Sequence, residues 1–104
     1  MKYAMLIYVN DGIHSNEEDS AEYLALSERA VGGAHLQPID TATTVRVADG
    51  EAILSDGPFV DAKEYLGGFY LFEAENLDAA TAFAAQIPAA RSGGAVEVRP
   101  LVER

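Results

Sequence analysis

Hydrophobic positions alternate along residues 2–9. Tyr3, Met5, Ile7 and Val9 fall on one face of an extended chain; Ala4, Leu6 and Tyr8 fall on the other. A period of two with both faces apolar predicts a central strand covered on both sides. Asn10 to His14 reads as a turn. Ser15 then stands as a helix N-cap, with Glu18 three residues on completing a capping box, and the acids Glu17, Glu18 and Asp19 suit the positive end of a helix dipole. The pattern predicts a helix to about Ala30, with Ala21, Leu24 and Val31 turned inward and Gly32-Gly33 as its stop. An extended piece follows from Ala34 to Gln37, ended by Pro38. Thr43 to Ala48 alternates and is rich in β-branched residues, Asp49-Gly50 is a hairpin turn signal, and Ala52 to Ser55 returns. Asp56-Gly57-Pro58 marks another sharp turn, and residues 61–66 are expected to hold one helical turn. Gly67-Gly68 opens a second buried strand, with Phe69 and Leu71 on one side and Tyr70, Phe72 and Ala74 on the other. Asn76 caps a second helix in which Leu77, Ala80, Phe83, Ala84 and Ile87 recur at helical spacing, and Pro88 ends it. Ala95 to Leu101 alternates polar and apolar residues, as an edge strand does.

The resulting order, βαβ, hairpin, βαβ, predicts an α+β fold: a ferredoxin-like split βαβ plan with two helices on one face of an antiparallel sheet. With 104 residues and no linker-like stretch, the chain is read as one domain, 1–104. Two helices cover one face only, yet the strands at 2–9 and 68–74 are apolar on both. A second copy of the same sheet is the simplest cover, so a homodimer is expected.

Composition narrows the function classes. Cysteine is absent, which removes disulfides, thiolate chemistry and Cys-ligated zinc. The run from Tyr3 to Val9 ends in Asn10-Asp11-Gly12 without a small-residue cleavage pattern, so it reads as a strand rather than a signal peptide. No stretch approaches the length of a membrane span. No membrane association is expected, and a cytoplasmic location is. Seventeen acids against seven bases give a net charge of -10. The basic residues are scattered, so there is no face to displace counterions from phosphates, and nucleic acid is not an expected partner. The acids between Asp11 and Glu28 read either as a solvated helix face or as a docking surface.

Several residues carry candidate chemistry. Asp56 sits at a strand end, in a turn bent by Gly57 and fixed by Pro58. There a carboxylate half-buried beside Phe59 and Tyr70 is placed as a general base or ligand anchor; equally, an Asp before Gly-Pro bonds its own turn. Phe59 is a core or substrate-wall residue. Gly67 and Gly68 allow close ligand approach, or mark a bulge or strand entry. His35 is a ligand or base candidate, against a structural role. Tyr8, Tyr65 and Tyr70 are read as neighbours of one cavity, as phenols facing a ligand or as core residues with hydroxyls at the rim. The glycine pairs lack the Lys-Ser/Thr of a phosphate loop. His14 and His35 are too far apart for a helical metal pair, so no metal and no cofactor is called for. A small-molecule ligand is the expected partner, and no constellation names a reaction.

The chain resembles the YCII-related superfamily in its DGPF-domain branch. The resemblance is carried by Lys2-Tyr3, Leu6-Ile7-Tyr8, Gly32-Gly33, Leu36-Gln37-Pro38 and Thr41-Ala42-Thr43-Thr44-Val45-Arg46. It continues through Asp56-Gly57-Pro58-Phe59, Lys63-Glu64, Leu66-Gly67-Gly68-Phe69-Tyr70, Ala89-Ala90-Arg91 and Glu97-Val98-Arg99-Pro100. It implies a ferredoxin-like dimer of the dimeric α/β barrel type. Members of the family mostly lack an assigned reaction. Related folds include cofactor-free isomerases, monooxygenases and haem-handling enzymes. Genes of this type often lie beside those of extracytoplasmic-function sigma factors, which implies a regulatory partnership. The alternative is a cofactor-independent enzyme acting on an aromatic or lactone-like molecule, with Asp56 as acid and base. Two departures stand out. The stretch from Tyr8 to Gly32 is shorter than in the family. The first helix also lacks the histidine that some relatives place there, so a His–Asp dyad does not carry over.

Overall fold

A computed structural model describes residues 1–10, 17–60 and 62–103. The Ser15 cap, His14 and Asp61 lie outside the described residues. In chain order the elements are β1 (Lys2–Val9), α1 (Glu17–Arg29), β2 (Gly32–His35), β3 (Thr43–Ala48), β4 (Glu51–Asp56), β5 (Tyr65–Glu73), α2 (Leu77–Ala84) and β6 (Ala95–Pro100). Short 3-10 turns lie at Ile39–Thr41 and Pro88–Ala90. Four strands form an antiparallel sheet in the order β2-β5-β1-β6, and β3 pairs with β4 in a separate ribbon. The fold is α+β, and its order is consistent with the ferredoxin-like plan.

The alternation read along β1 and β5 decides where the core sits. Tyr3, Met5, Ile7 and Tyr70 are buried, and Phe72, Val96 and Val98 pack against them. α2 closes this face because its apolar stripe brings Phe83, 1% exposed, against them. The Phe83 ring stacks on Phe72 with centroids 3.9 Å apart and meets Tyr70 edge-on at 6.2 Å. Such ring pairs add to the area they bury. Asn76 starts α2 as the sequence predicts, its side chain accepting from the Ala79 N–H at 2.9 Å. Ala4, Leu6, Tyr8, Phe69 and Leu71 point to the opposite face and stay out of the core cluster.

Three local readings are corrected. Leu24 and Val31 are 65% and 59% exposed, and Ala21 is exposed as well. The inward stripe of α1 is instead Tyr23, Leu26 and Ala30, which also has i, i+3, i+7 spacing. The extended piece after Gly32-Gly33 includes both glycines, since β2 pairs Gly32 with Leu71 and His35 with Gly68. Residues 62–66 hold no helical turn: Tyr65 already begins β5, paired with Val9.

The β3–β4 ribbon behaves as its sequence suggests. Asp49 and Gly50, at the tip, have φ of 52° and 79°, the left-handed pair that a tight hairpin needs. One face of the ribbon carries Val45, Val47, Ala52 and Leu54, cross-paired and all exposed. The chain measures 44 × 38 × 19 Å with a radius of gyration of 15.4 Å, larger than the ~13 Å of a compact domain this size. Among the described residues, no helix is long and apolar enough to cross a membrane.

Candidate ligand cleft

The larger of two cavities among the described residues, about 740 Å³, opens between α1, β2 and the beginning of β5. Polar ties join the apolar stripe in holding α1 over the sheet. The Tyr70 hydroxyl donates to the Tyr23 carbonyl at 2.8 Å. Arg29 donates to the Gln86 side chain at 3.0 Å, and its guanidinium lies 5.1 Å from the centre of the Phe83 ring. Arg91 pairs with Glu22. Leu26 is the buried apolar anchor of the helix. The exposed side of α1 that carries Leu24, Ser27 and Val31 forms one wall.

A bulge shapes the opposite wall. The β1–β5 register shifts between Ile7, opposite Gly68, and Tyr8, opposite Leu66, so Gly67 is the extra residue. Strict alternation would put Tyr65 on the open face with Phe69 and Leu71. The extra residue instead sets it beside Val9, on the helix-bearing side, as bulges commonly re-aim side chains. Tyr65 thereby lines the cleft.

The predicted site residues separate into groups. His35, Gly67, Gly68 and Tyr70 line the cleft together with Tyr65. His35 is exposed at the end of β2. Tyr70 is 8% exposed, and its hydroxyl is engaged by α1. Burial, reinforced by Tyr23, pushes its pKa above the ordinary phenolic value. Tyr8 lies on the other face of the sheet, opposite Leu66. Asp56 is exposed and borders a second, smaller hollow of about 430 Å³ with Asp40, Pro58 and Tyr65. Phe59, 67% exposed, lies under the Arg46 guanidinium at 4.7 Å. Asp56 is therefore not half-buried beside Phe59 and Tyr70 in the single chain. Its turn is held instead by Gly57 N–H donating to the Ala42 carbonyl at 2.7 Å and the Thr44 hydroxyl donating to the Gly57 carbonyl at 2.8 Å. Tyr65 borders both cavities.

The resemblance implies that the first helix helps wall the cleft, but sequence reasoning named no α1 residue as part of the site. The signal was available: Leu24, Ser27 and Val31 form a second stripe at i, i+3, i+7, adjacent to the core stripe. Pro88, Ala89 and Ser92, which also line the cleft, left no comparable pattern. Among the described residues, no group of His, Asp and Glu is placed to hold a metal ion.

The sequence profile of the YCII-related domain matches residues 1–104. A protein of Rhizobium meliloti (strain 1021), described only as uncharacterized, is 39% identical over 114 aligned positions, covering 97% of this chain and 92% of the relative. The aligned span exceeds this chain's own length, so the relative carries additional residues within it. A full-length profile match and a near-full-length relative at this identity place the chain in the YCII-related domain family.

Proposed function

We propose that this protein is a homodimeric binding domain that takes a small organic molecule into the cleft between α1 and the β2–β5 edge. The observation that carries this reading is the cleft itself. Its volume of about 740 Å³ lies in the range of pockets that hold compact organic ligands. Its walls come from Leu24, Val31, Tyr65 and Pro88 rather than from a charged constellation. The dimer is supported by the open sheet face, where Leu6, Tyr8, Phe69 and Leu71 are apolar and outside the core, and by the exposed Val45–Leu54 face of the ribbon. Regulation of an extracytoplasmic-function sigma factor is compatible with this reading, the cleft then being the ligand-sensing part.

The test is amide NMR against a library of small aromatic and lactone fragments. Binders should shift the amides of Val31, Gly67 and Gly68 together. Leu24→Trp, at an exposed position, should fill the cleft and remove those shifts while leaving the fold intact. Shifts confined to the ribbon or scattered over the surface would end the cleft reading. Sedimentation equilibrium tests the dimer separately: a single-chain mass at micromolar concentration would remove the homodimer and leave the cleft untouched.

One observation favours a second reading, acid–base chemistry by Asp56 on a bound molecule: Tyr65 borders both the cleft and the Asp56 hollow. A ligand reaching past Tyr65 would meet that carboxylate. Turnover of a cleft-bound compound that disappears in Asp56→Asn would establish it, and turnover unchanged in that variant would dismiss it.

A further inference from the structure

Charged residues make up 23% of this chain, yet none of the described residues lining the cleft is Asp, Glu, Lys or Arg. Most of the polar groups that do line it are already engaged. The Tyr70 hydroxyl is bonded to the Tyr23 carbonyl, and the Ser27 hydroxyl donates to the Leu24 carbonyl at 2.6 Å within its own helix. The Asn10 amide donates to the Gly93 carbonyl at 3.3 Å. His35 and Ser92, both exposed at the rim, make no side-chain hydrogen bond among the described residues. Gly33, Gly67 and Gly68 add a floor of bare backbone. Gly33 and Gly68 sit where the strands are in close contact: a Cβ on Gly68 would lie 2.8 Å from the Ala34 carbonyl oxygen, and one on Gly33 2.4 Å from that of Phe69. A floor without side chains suits a flat ring.

We infer that the cleft selects an uncharged, ring-bearing organic molecule and fixes it by one hydrogen bond with His35, which accepts from a hydroxyl or donates to a carbonyl. This rests on the cleft being the binding site and adds the class of ligand. An ion entering the cleft would shed its hydration without meeting a counter-ion among the described lining residues, which is the costly way to bury charge. An anion would also enter against the field of a chain carrying a net charge of -10, with no cation in the wall to offset it. A cation is favoured by that field at a distance, but finds no carboxylate among the described lining residues to replace its water. A neutral ring loses little hydration and gains contact with the exposed Leu24 and Val31. An imidazole donates from one nitrogen and accepts at the other, so it can pair with either a hydroxyl or a carbonyl.

Three probes with the same ring separate charge from shape: naphthol, naphthoate and naphthylmethylammonium. They are titrated at neutral pH and moderate salt, following the amides of Val31, Gly67 and Gly68. Naphthol should bind at least about ten-fold more tightly than either ion, given the uncompensated desolvation of charge. Either ion binding as tightly as naphthol would overturn the inference while leaving the cleft as a binding site. Failure of all three to move these amides would bring down the cleft reading together with the inference. Leu24→Lys places a cation on the α1 wall at an exposed position and should reverse the preference between naphthol and naphthoate. No gain for naphthoate in that variant would show that the ring does not lie against α1, against the inference. His35→Phe should weaken naphthol but not naphthalene, and equal effects on both would refute the hydrogen bond to His35.

Discussion

Replacing Tyr70 with Phe removes one oxygen atom and tests how α1 is held. The ring stays, and with it the edge-on contact to Phe83 at 6.2 Å. What is lost is the 2.8 Å bond from the hydroxyl to the Tyr23 carbonyl of α1. A net hydrogen bond contributes about 0.5–1.5 kcal/mol. The Tyr23 carbonyl keeps its helical acceptor role toward the residue four positions on, so the loss should be near 1 kcal/mol. For a domain of this size that lowers Tm by about 4–8 °C. The same substitution carries a pH signature. Burial raises the Tyr70 pKa in the folded state above the ordinary phenolic value of 10.0. The folded protein therefore keeps this proton in a range where the unfolded chain releases it. The contribution is fully present below pH 10 and is lost as pH rises from there through the folded pKa. Subtracting the Tyr70→Phe stability from that of the parent should give a difference that is flat below about pH 9 and falls above 10. Its slope should not exceed about 1.4 kcal/mol per pH unit, the limit for one group. Urea denaturation followed by circular dichroism between pH 7 and pH 11 measures it. A variant as stable as the parent at pH 7, or a difference that does not change across the alkaline range, would refute the account of how α1 is anchored.

Three further substitutions probe other links. Leu71→Glu, on the open face, should leave a folded single chain by sedimentation velocity, whereas Phe72→Glu should unfold or aggregate the protein because Phe72 stacks on Phe83. Asn76→Ala removes the cap of α2 and should cost about 0.5–2 kcal/mol in chemical denaturation, with ligand binding unchanged. Gly68→Ala drives a Cβ toward the Ala34 carbonyl oxygen at 2.8 Å. It should cost about 1–3 kcal/mol as an overpacked site, and amide exchange should show the loss concentrated at the β2–β5 pairing.

The parts of this fold that were legible in the sequence are those in which one local pattern meets no competitor. The alternation in β1, the two-sided character of β5 and the Asn76 cap needed only near neighbours, and so did the Asp49-Gly50 tip. α1 was placed correctly in the chain but rotated about its axis, because it carries two stripes of equal spacing. Tyr23, Leu26 and Ala30 pack on the core, Tyr23 and Ala30 also bordering the cleft, while Leu24, Ser27 and Val31 line the cleft without joining the core. Hydrophobicity alone favours Leu24 and Val31 over Tyr23 and Ala30, and only the sheet below decides between the stripes. The position of Tyr65 was hidden for a related reason. Its side of β5 depends on one bulge residue, and nothing in the local sequence fixes whether Gly67-Gly68 is paired straight through or displaced. Asp56 attracted notice for its turn geometry, which is real, but a turn does not reveal which cavity it borders. The cleft itself depends on contacts such as Arg91–Glu22 and Tyr70–Tyr23 between segments far apart in the chain. Those are outside the reach of any periodicity.

The pairing of β1 has a consequence for how the chain comes off the ribosome. Tyr3 lies opposite Phe72 on one side and Pro100 on the other. The strand synthesised first in this domain is thus the middle of its sheet, and both partners are translated much later. At about 5–20 residues per second, β1 spends seconds outside the exit tunnel with two apolar faces and no partner edge. Neither α1 nor the β3–β4 ribbon, which emerge next, can pair with it in the native sheet. Folding therefore cannot proceed stepwise from the leading end. It must wait for β5 and be completed by β6, a topology whose distant contacts also slow refolding of the released chain. Residues 2–9 are thus the stretch of this domain most in need of shielding while the chain is being made.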